Sequence, residues 1–178
     1  AAAGSGEGVA ITFDDGYRDN MTVAAPLLAD AGLPFTVFVT PDFVRSGARH
    51  YLSPDEVRQL AQVPGAAIGA HGRSHRRLTQ CSDAELAAEL HDSKAWLEDL
   101  LGKSVETMSF PHGATDARVR TAAAAAGYAL AACSRFGAHP RGGDPLGVAR
   151  VEIWANDSSA RLSAKLRGDW DWLAWRHR

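Results

Sequence analysis

The chain has 178 residues, 46% of which are hydrophobic, and a formal charge of -2 with a pI near 6.4. This length and composition predict a single domain over residues 1–178 with a substantial core. Nucleic acid is excluded as an expected partner, because binding it depends on neutralising many phosphates. No stretch reaches the roughly 18 consecutive apolar residues of a membrane span, so we expect no transmembrane segment.

The two cysteines and the first residues leave the cellular compartment open. Cys81 and Cys133 can form one disulfide or stay free, and the sequence does not choose between these states. Residues 1–6 are too few for a signal peptide and lack its positively charged flank. We therefore predict that the given chain contains no signal peptide.

An apolar run over residues 9–13, rich in β-branched side chains, predicts a buried strand. The run ends at Asp14, Asp15 and Gly16. Two adjacent carboxylates repel each other unless positive charge lies beside them, and a metal ion is the simplest such charge. Ligand-binding side chains of parallel α/β folds lie where strands end. The structural alternative is a turn that favours Asp and Gly for their backbone conformations.

Residues 19–70 predict two helices that alternate with two strands. An apolar face that includes Val23 and Leu27 supports the first helix, and a capping box that begins at Ser53 supports the second. The polar residues 40–52 predict a loop. The elements are a helix from Asp19 or Asn20 to Gly32, a strand over 35–39, a helix from Ser53 to about Gln62, and a strand over 66–70.

The strand over 66–70 leads into His71 and His75. Two histidines four residues apart can converge on one ion, and with a carboxylate they leave a tetrahedral position open for water. Histidines at this spacing also occur as surface or core residues without a ligand. The acids at the end of the first strand favour the metal site, because chance does not readily place both features at strand ends.

Residues 82–168 continue the alternation of helices and strands. A capping box at Ser82 and a glycine at position 102 bound a long amphipathic helix, and the residues 134–147, rich in glycine and proline, predict a loop. The remaining elements are a strand over 107–110, a helix from Thr115 or Asp116 to Ala126, strands over 128–133 and 150–154, and a helix from Asp157 to Gly168. This order predicts a parallel sheet with helical crossovers.

Three short motifs stand at the ends of predicted strands. They are Thr-Phe-Asp-Asp-Gly at residues 12–16, His-Gly-Arg-Ser-His at 71–75 and Phe-Pro-His-Gly at 110–113. In type and order they resemble the motifs of the polysaccharide deacetylase family, also called the NodB-homology or carbohydrate esterase 4 family. The chain departs from the family pattern at Gly72, where relatives carry Ser or Thr, and at His112, where they carry an aromatic residue.

The resemblance implies an α/β fold: an irregular (β/α) barrel of about six to seven parallel strands with crossover helices. It implies that Asp15, His71 and His75 hold one divalent metal ion, zinc in the first place, with cobalt, nickel or manganese as substitutes. It further implies that Asp14 is the general base and that the backbone N–H of His112 is a donor to the oxyanion.

Two parts of the family pattern lack a direct counterpart. Many relatives carry an arginine just before the third motif to orient the base, whereas residues 107–109 here are Thr, Met and Ser. Arg150, at the start of the predicted sixth strand, is the substitute candidate. Relatives take the general acid from a C-terminal Leu-x-His motif or an upstream Tyr-His segment, and this sequence has neither. His177 and the ring of His112 are the remaining candidates for proton transfer.

The function implied by the resemblance is metal-dependent removal of N-acetyl groups from a glycan that contains N-acetylglucosamine. Peptidoglycan, chitin-like chains and poly-N-acetylglucosamine all belong to this class. A carbohydrate O-acetyl esterase and a catalytically weak, metal-containing glycan-binding domain are the alternatives. The expected partner is the acetylated glycan, and we expect a monomer that acts outside the cytoplasm or at the cell surface, in the cell envelope.

Overall fold

The computed structural model describes residues 8–171, and its central feature is a parallel sheet of five strands. The spatial order of the strands equals their order in the chain, without the reversal found in doubly wound sheets. The sheet therefore curls in one direction and forms a half-barrel. The strands are β1 (Ile11–Phe13), β2 (Phe35–Val39), β3 (Ala66–Ala70), β4 (Thr107–Ser109) and β5 (Leu130–Ala132).

Helices supply the crossovers that parallel neighbours require. A π-helical segment over Asn20–Ala24 leads directly into the first α-helix. The predicted capping boxes at Ser53 and Ser82 are both present, and Gly102 ends the longest helix in the left-handed conformation, as expected. The α-helices are α1 (Ala25–Asp30), α2 (Pro41–Arg45), α3 (Pro54–Leu60), α4 (Asp83–Leu101), α5 (Ala117–Ala125) and α6 (Ser159–Leu166).

The core is a continuous cluster of buried apolar side chains from the sheet and from α3, α4 and α5. β2 is buried along almost its whole length, as is usual for a parallel strand covered on both faces. α4 buries one stripe at helical spacing, and this stripe contains the charged residue Glu89 between Leu86 and Leu90. Cys81 and Cys133 are both buried and free, so they form no disulfide with each other.

The face of the first helix differs from the prediction. Val23 and Leu27, expected on the apolar face, are 55% and 66% exposed, whereas Asn20 and Ala25 are buried. The cause is the π-helical segment, in which hydrogen bonds reach one residue further than in an α-helix. A π-helix has more residues per turn, so the side chains that follow it are rotated about the helix axis. Residues chosen at α-helical spacing therefore face solvent and not the core.

Two other predicted elements are also wrong. The expected loop over 40–52 contains α2, which begins at Pro41, and proline is favoured in the first turn of a helix. The expected sixth strand over 150–154 is not a strand. The extended segment lies earlier, where Val148 forms a parallel bridge with Ala132. The described residues therefore contain five strands, one fewer than the lower limit expected.

The chain turns after residue 150 because polar contacts to α6 replace strand pairing. Asp157 accepts a hydrogen bond from the backbone N–H of Trp154, and Lys165 donates to the carbonyl of Glu152. Within residues 8–171, none of the helices combines the length and apolarity that crossing a bilayer requires.

Candidate active site

The predicted functional residues follow three of the five strands, β1, β3 and β4, at the carboxyl edge of the sheet. Asp14 and Asp15 follow β1, His71 follows β3, and His112 lies shortly after β4. In a parallel sheet all carboxyl ends meet at one edge, so side chains far apart in sequence come together there. This edge is the candidate active site.

Asp15, His71 and His75 form a compact cluster of metal-ligand type. One ligand atom from each residue lies within 4.8 Å of those from the other two. Oδ1 of Asp15 is 3.3 Å from Nε2 of His71 and 3.1 Å from Nε2 of His75. This oxygen is buried and has no hydrogen-bond donor in the described structure. A buried carboxylate oxygen facing two imidazole nitrogens fits a cation better than it fits a hydrogen-bond network.

A backbone carbonyl sets the orientation of His71. The ring is 2% exposed, and its Nδ1 lies 2.8 Å from the carbonyl oxygen of Ser109. A carbonyl can only accept, so Nδ1 carries a proton, and in the neutral imidazole this leaves the lone pair on Nε2. That lone pair points towards Asp15, as expected of a histidine whose other nitrogen is held by a second group.

Three residues of the site have left-handed backbone conformations. Asp15, His75 and His112 have φ values of 76°, 64° and 59°, and they are the only such residues other than glycine in the described part of the chain. This conformation is uncommon for residues with a Cβ and persists where surrounding contacts stabilise it. All three predicted loops at the site are therefore held in specific and sparsely populated shapes.

Glu89 of α4 holds the loop that carries the two histidines. Its carboxylate is 1% exposed, and Oε2 accepts hydrogen bonds from the N–H groups of Arg73 at 2.9 Å and Ser74 at 3.0 Å. Its other oxygen accepts from the hydroxyl of Ser74. A Cβ added at Gly72 would lie 3.0 Å from Pro111 and 3.3 Å from Glu89, and φ is 65° here, so glycine is favoured at this close approach.

Arg150 lies against Asp14, and all five of its N–H groups have acceptors. Two nitrogens donate to the two carboxylate oxygens at 2.8 Å each, in the bidentate geometry that arginine favours. The remaining N–H groups reach the hydroxyls of Ser109 and Thr12 and the carbonyl of Cys133. The hydroxyl of Ser109 in turn donates to Asp14 at 3.1 Å.

Both acids at the end of β1 are stabilised as carboxylates. Burial alone raises the pKa of Asp14, but the hydrogen bonds of Arg150 and the nearby His71 outweigh it and hold the pKa below its ordinary value. Burial also raises the pKa of Asp15, whereas hydrogen bonding and positive charge from the two adjacent imidazoles, when these are protonated, lower the pKa to well below the usual range. Two neighbouring carboxylates are thus ionised together.

His112 contributes an exposed ring and an unpaired backbone group. The ring centroid lies 4.5 Å from that of His75, in an edge contact. Within the described residues, the N–H of His112 has no carbonyl partner. The limited burial of the ring, followed by the neighbouring His75 and Arg77, lowers the pKa of His112. The other predicted proton carrier, His177, lies outside the described residues.

Comparison with protein families shows to which family this chain belongs. The sequence profile described as "Polysaccharide deacetylase" matches residues 2–131, which is well over half of the chain. The chain belongs to the polysaccharide deacetylase family. This confirms the resemblance drawn from the three motifs.

Individual relatives agree with this membership. The Bacillus subtilis protein YxkH, named after the same family, is 28% identical over 156 residues, which cover 88% of this chain and 55% of YxkH. Chitin deacetylase 1 of Cryptococcus neoformans is 32% identical over 117 residues, which cover 66% of this chain and 23% of that protein. The chain thus spans about half of one relative and about a quarter of the other.

A solved structure supports the fold. The deacetylase PplD of Streptococcus pyogenes, solved in complex with acetate, superimposes with a TM-score of 0.80 at 26% identity, over 86% of this chain and 68% of that chain. The polysaccharide deacetylase-type α/β barrel predicted from the sequence is therefore confirmed, with five strands in the described residues.

Sequence reasoning missed two residues of the site, Ser109 and Glu89. Ser109 bonds Asp14, Arg150 and His71 at once, and its position at the end of β4, directly before the third motif, was the available signal. Glu89 occupies the apolar stripe of α4, and a charged residue on a buried stripe indicates a specific partner.

Proposed function

We propose that this chain is a metal-dependent hydrolase that removes N-acetyl groups from a glycan containing N-acetylglucosamine. The observation that carries the proposal is the bidentate pair of Asp14 and Arg150 beside the Asp15, His71 and His75 cluster. A structural or binding site has no need of a second carboxylate that is held ionised next to a ligand set. A hydrolase needs that carboxylate as a base.

Asp15, His71 and His75 are the residues that would hold the metal ion. Two imidazole nitrogens and one carboxylate oxygen suit zinc, and cobalt, nickel or manganese can replace it in such a donor set. When bound, the ion supplies Lewis acidity to the acetyl carbonyl and acidifies water. The bond from His71 to Ser109 and the bonds from the loop to Glu89 fix two of the ligands before any ion arrives.

Asp14 would take the proton from the attacking water. A carboxylate offers about four lone-pair sites, and three are used here, two by Arg150 and one by Ser109. The unused site is on Oδ1, because Oδ2 accepts both the second Arg150 bond and the Ser109 hydroxyl. Arg150 therefore orients the base and keeps it ionised while leaving one position for a proton.

His112 would stabilise the negative charge that develops on the acetyl oxygen. Its backbone N–H has no carbonyl partner in residues 8–171, and its left-handed conformation is fixed between Pro111 and Gly113. A preorganised N–H of this kind needs no rearrangement during the reaction. The polymeric glycans of this class lie outside the cytoplasm, so we extend the proposal to an extracytoplasmic or cell-surface location, with the protein acting as a monomer.

The experiment is release of acetate from acetylated glycans by the purified chain loaded with zinc or cobalt. We expect release from N-acetylglucosamine oligomers that is abolished by a chelator, restored by added metal, and removed by Asp14→Asn. Release from acetylated xylan alone would indicate an O-acetyl esterase. Oligomer binding without release from any substrate would indicate a glycan-binding domain, and either result would overturn the proposal.

A further inference from the structure

The chain that follows Arg150 has little core packing to hold it. Residues 151–154 form no strand, and the side chains of Ile153 and Trp154 are 50% and 59% exposed. Arg150 nevertheless keeps both of its hydrogen bonds to Asp14 at 2.8 Å. A bidentate pair tolerates little movement of either partner, because both bonds lengthen and bend together. Polar contacts must therefore fix this part of the chain.

These contacts come from Lys165 of α6. Its ammonium donates to the carbonyl of Glu152 at 2.8 Å and to Oδ2 of Asp157 at 2.5 Å. The same carboxylate oxygen accepts a hydrogen bond from the N–H of Trp154 at 2.8 Å. We call Asp157 and Lys165 the α6 ion pair. The pair joins α6 to a carbonyl that lies only two residues beyond Arg150.

The orientation of α6 is unusual for an amphipathic helix. The side chains of Lys165 and Asp157 are 3% and 2% exposed, whereas Leu162 and Leu166 of α6 are 36% and 55% exposed. The hydrophobic effect alone would favour burial of the leucines, because a charged group loses its hydration when it is buried. A buried ion pair often adds little net stability. The orientation of α6 therefore indicates that the pair fixes a position in the fold.

The turn after α6 contacts the loop on the other side of Arg150. Asp171 accepts a hydrogen bond from the N–H of Ala138 at 3.3 Å. In the same loop, the carbonyl of Arg135 accepts a hydrogen bond from the N–H of Arg150 at 3.0 Å. The chain on both sides of Arg150 is thus connected to α6 or to the turn that follows it. A displacement of α6 would reach Arg150 from both directions.

We propose that Lys165 is a positioning residue, which holds the chain after Arg150 so that the guanidinium stays on Asp14. Within the described residues, the ammonium of Lys165 donates to Glu152 and Asp157, so it acts through Arg150 and does not touch the reacting groups. This inference rests on the proposed hydrolase function for its effect on turnover. The position of Arg150 can be measured without turnover.

The first measurement is turnover of an aryl acetate by the zinc-loaded protein. Lys165→Met removes the ammonium and keeps a flexible side chain of similar length. Misplacing a catalytic group by about 1 Å can cost about 10²-fold, and we expect a partial displacement to lower kcat by about tenfold. KM should change by less than about twofold. Zinc affinity should stay the same, because the candidate ligands follow β1 and β3.

Two comparisons show whether the effect passes through Arg150. In an Arg150→Met background, Lys165→Met should lower kcat by less than about twofold more, because the guanidinium that it positions is already absent. Arg167→Met is the matched control. It removes a cation at the end of the same helix that pairs with Asp169 in solvent, and it should leave kcat unchanged.

The second measurement observes Arg150 directly. Its Nε–H donates to the carbonyl of Cys133 at 3.3 Å, and a hydrogen bond in an ordered segment slows exchange with solvent. NMR of the protein labelled with ¹⁵N-arginine measures this exchange, and the signal is assigned by its loss in Arg150→Met. We expect the Nε–H to exchange about tenfold faster in Lys165→Met and at the original rate in Arg167→Met.

Each outcome decides a different claim. If Lys165→Met folds normally and changes neither kcat nor the exchange of Arg150, the proposal is overturned. An equal loss of kcat in the parent and in the Arg150→Met background also overturns it. If Lys165→Met does not fold, Asp157→Asn replaces it, since this change removes the charge that holds Lys165 and keeps the side-chain shape. The expected changes then have the same direction.

Failure of the proposed function gives a different result from failure of this inference. Faster exchange of the Arg150 Nε–H in a protein that releases acetate from no substrate supports the positioning role and overturns the proposed function. Acetate release that is the same in Lys165→Met and the parent, with unchanged exchange at Arg150, supports the function and overturns the positioning role.

Discussion

Both carboxylate oxygens of Asp14 accept hydrogen bonds from the Arg150 guanidinium at 2.8 Å, although the two residues are 136 positions apart in the chain. The pair joins the end of β1 to the segment that follows β5, the last strand of the sheet. All five N–H groups of Arg150 donate hydrogen bonds, so its side chain is held in one conformation. This arrangement determines the state of the proposed base and leads to the first prediction.

Arg150→Met should move the acid limb of the pH–rate profile to higher pH. Without the guanidinium, burial dominates and raises the pKa of Asp14. The base works only when ionised, so activity is lost at a higher pH as the pH falls. We expect a shift of about one to two units, and a smaller shift for Arg150→Lys, which keeps a charge but loses the bidentate bonds. The measurement is kcat/KM against pH on an aryl acetate.

Arg120→Met is the control for this experiment. Arg120 pairs with Asp144 at 3.2 Å on the surface, away from the candidate site. Removing it deletes an arginine of similar exposure without touching Asp14. If the acid limb of the pH–rate profile lies at the same pH in Arg150→Met and in the unmodified protein, Arg150 does not lower the pKa of the base.

The second prediction separates metal binding from folding. His75→Ala should lose bound metal, from about one ion per chain to none, while the thermal unfolding midpoint of the metal-free protein changes little. His75 is only partly buried, and a core of this size does not depend on an ion for its stability. Metal content is measured by elemental analysis after dialysis. His91→Ala, at an exposed histidine of α4, serves as the control, and full metal content in His75→Ala would place the ligands elsewhere.

Much of the fold was predictable because local rules determine it. The apolar runs of β2 and β3 and the capping boxes at Ser53 and Ser82 depend on neighbouring residues only, and all of them are present. The apolar face of the first helix was predicted wrongly because one π-helical segment rotates it. The sixth strand was predicted wrongly because the chain turns between Trp154 and Asp157, whose carboxylate accepts a hydrogen bond from the backbone N–H of Trp154.

The site was predictable where its residues stand in short motifs, and less so where they act through tertiary contacts. Asp15, His71 and His75 end two strands, and parallel strands place them at one edge. The role of Glu89 depends on the approach of α4 to a loop 15 residues earlier, which no local pattern encodes. Arg150 was inferred as the partner of the base only because residues 107–109, where many relatives carry an arginine, contain none.

The third prediction concerns Glu89. Glu89→Ala leaves the buried N–H groups of Arg73 and Ser74 without an acceptor, at a cost of about 1–3 kcal/mol each. The loop then loosens around His75, and we expect metal affinity to fall by about 10- to 100-fold. Glu89→Gln keeps one oxygen for both N–H groups and should retain most of the affinity. Affinity is measured by competition with a zinc-binding dye.

Asp99→Ala provides the comparison on the same helix, because Asp99 is exposed. It should change neither the zinc affinity nor the unfolding midpoint. A Glu89→Ala protein that loses stability but binds zinc as tightly as the parent would limit Glu89 to a structural role.

The fourth prediction concerns the backbone of His112. The residue has φ 59°, a conformation that asparagine tolerates and a β-branched residue does not. His112→Asn should therefore keep the N–H in place and retain most of the activity on an aryl acetate. His112→Val should lose about 10²- to 10³-fold in kcat, the usual effect of losing one oxyanion donor. Equal losses in both variants would mean that the imidazole ring, and not the backbone, is the active group.

The last prediction follows from the groups that can protonate the leaving nitrogen. Among residues 8–171, His112 is the imidazole that contacts the cluster apart from the predicted ligands, and its ring is exposed at the edge of the site. An amide nitrogen must be protonated to leave, whereas the phenolate of an aryl ester leaves without help. General acid catalysis contributes about 10²- to 10⁴-fold, so the chain should hydrolyse N-acetylated oligomers weakly and aryl acetates well.

A small diffusible acid offers a direct test of this deficit. Added 2,6-lutidine buffer, which is partly protonated near neutral pH and too hindered to attack the ester or bind the metal, should raise the amide turnover in proportion to its concentration and leave the ester turnover unchanged, because only the amide step needs the proton. The measurement is acetate release from the N-acetylglucosamine tetramer and from an aryl acetate at constant pH and ionic strength. Since both substrates share the attack on the acetyl carbonyl, a general effect of the buffer on the enzyme would raise both rates together. Amide turnover that is fast and insensitive to the buffer would mean that the protein supplies its own proton donor.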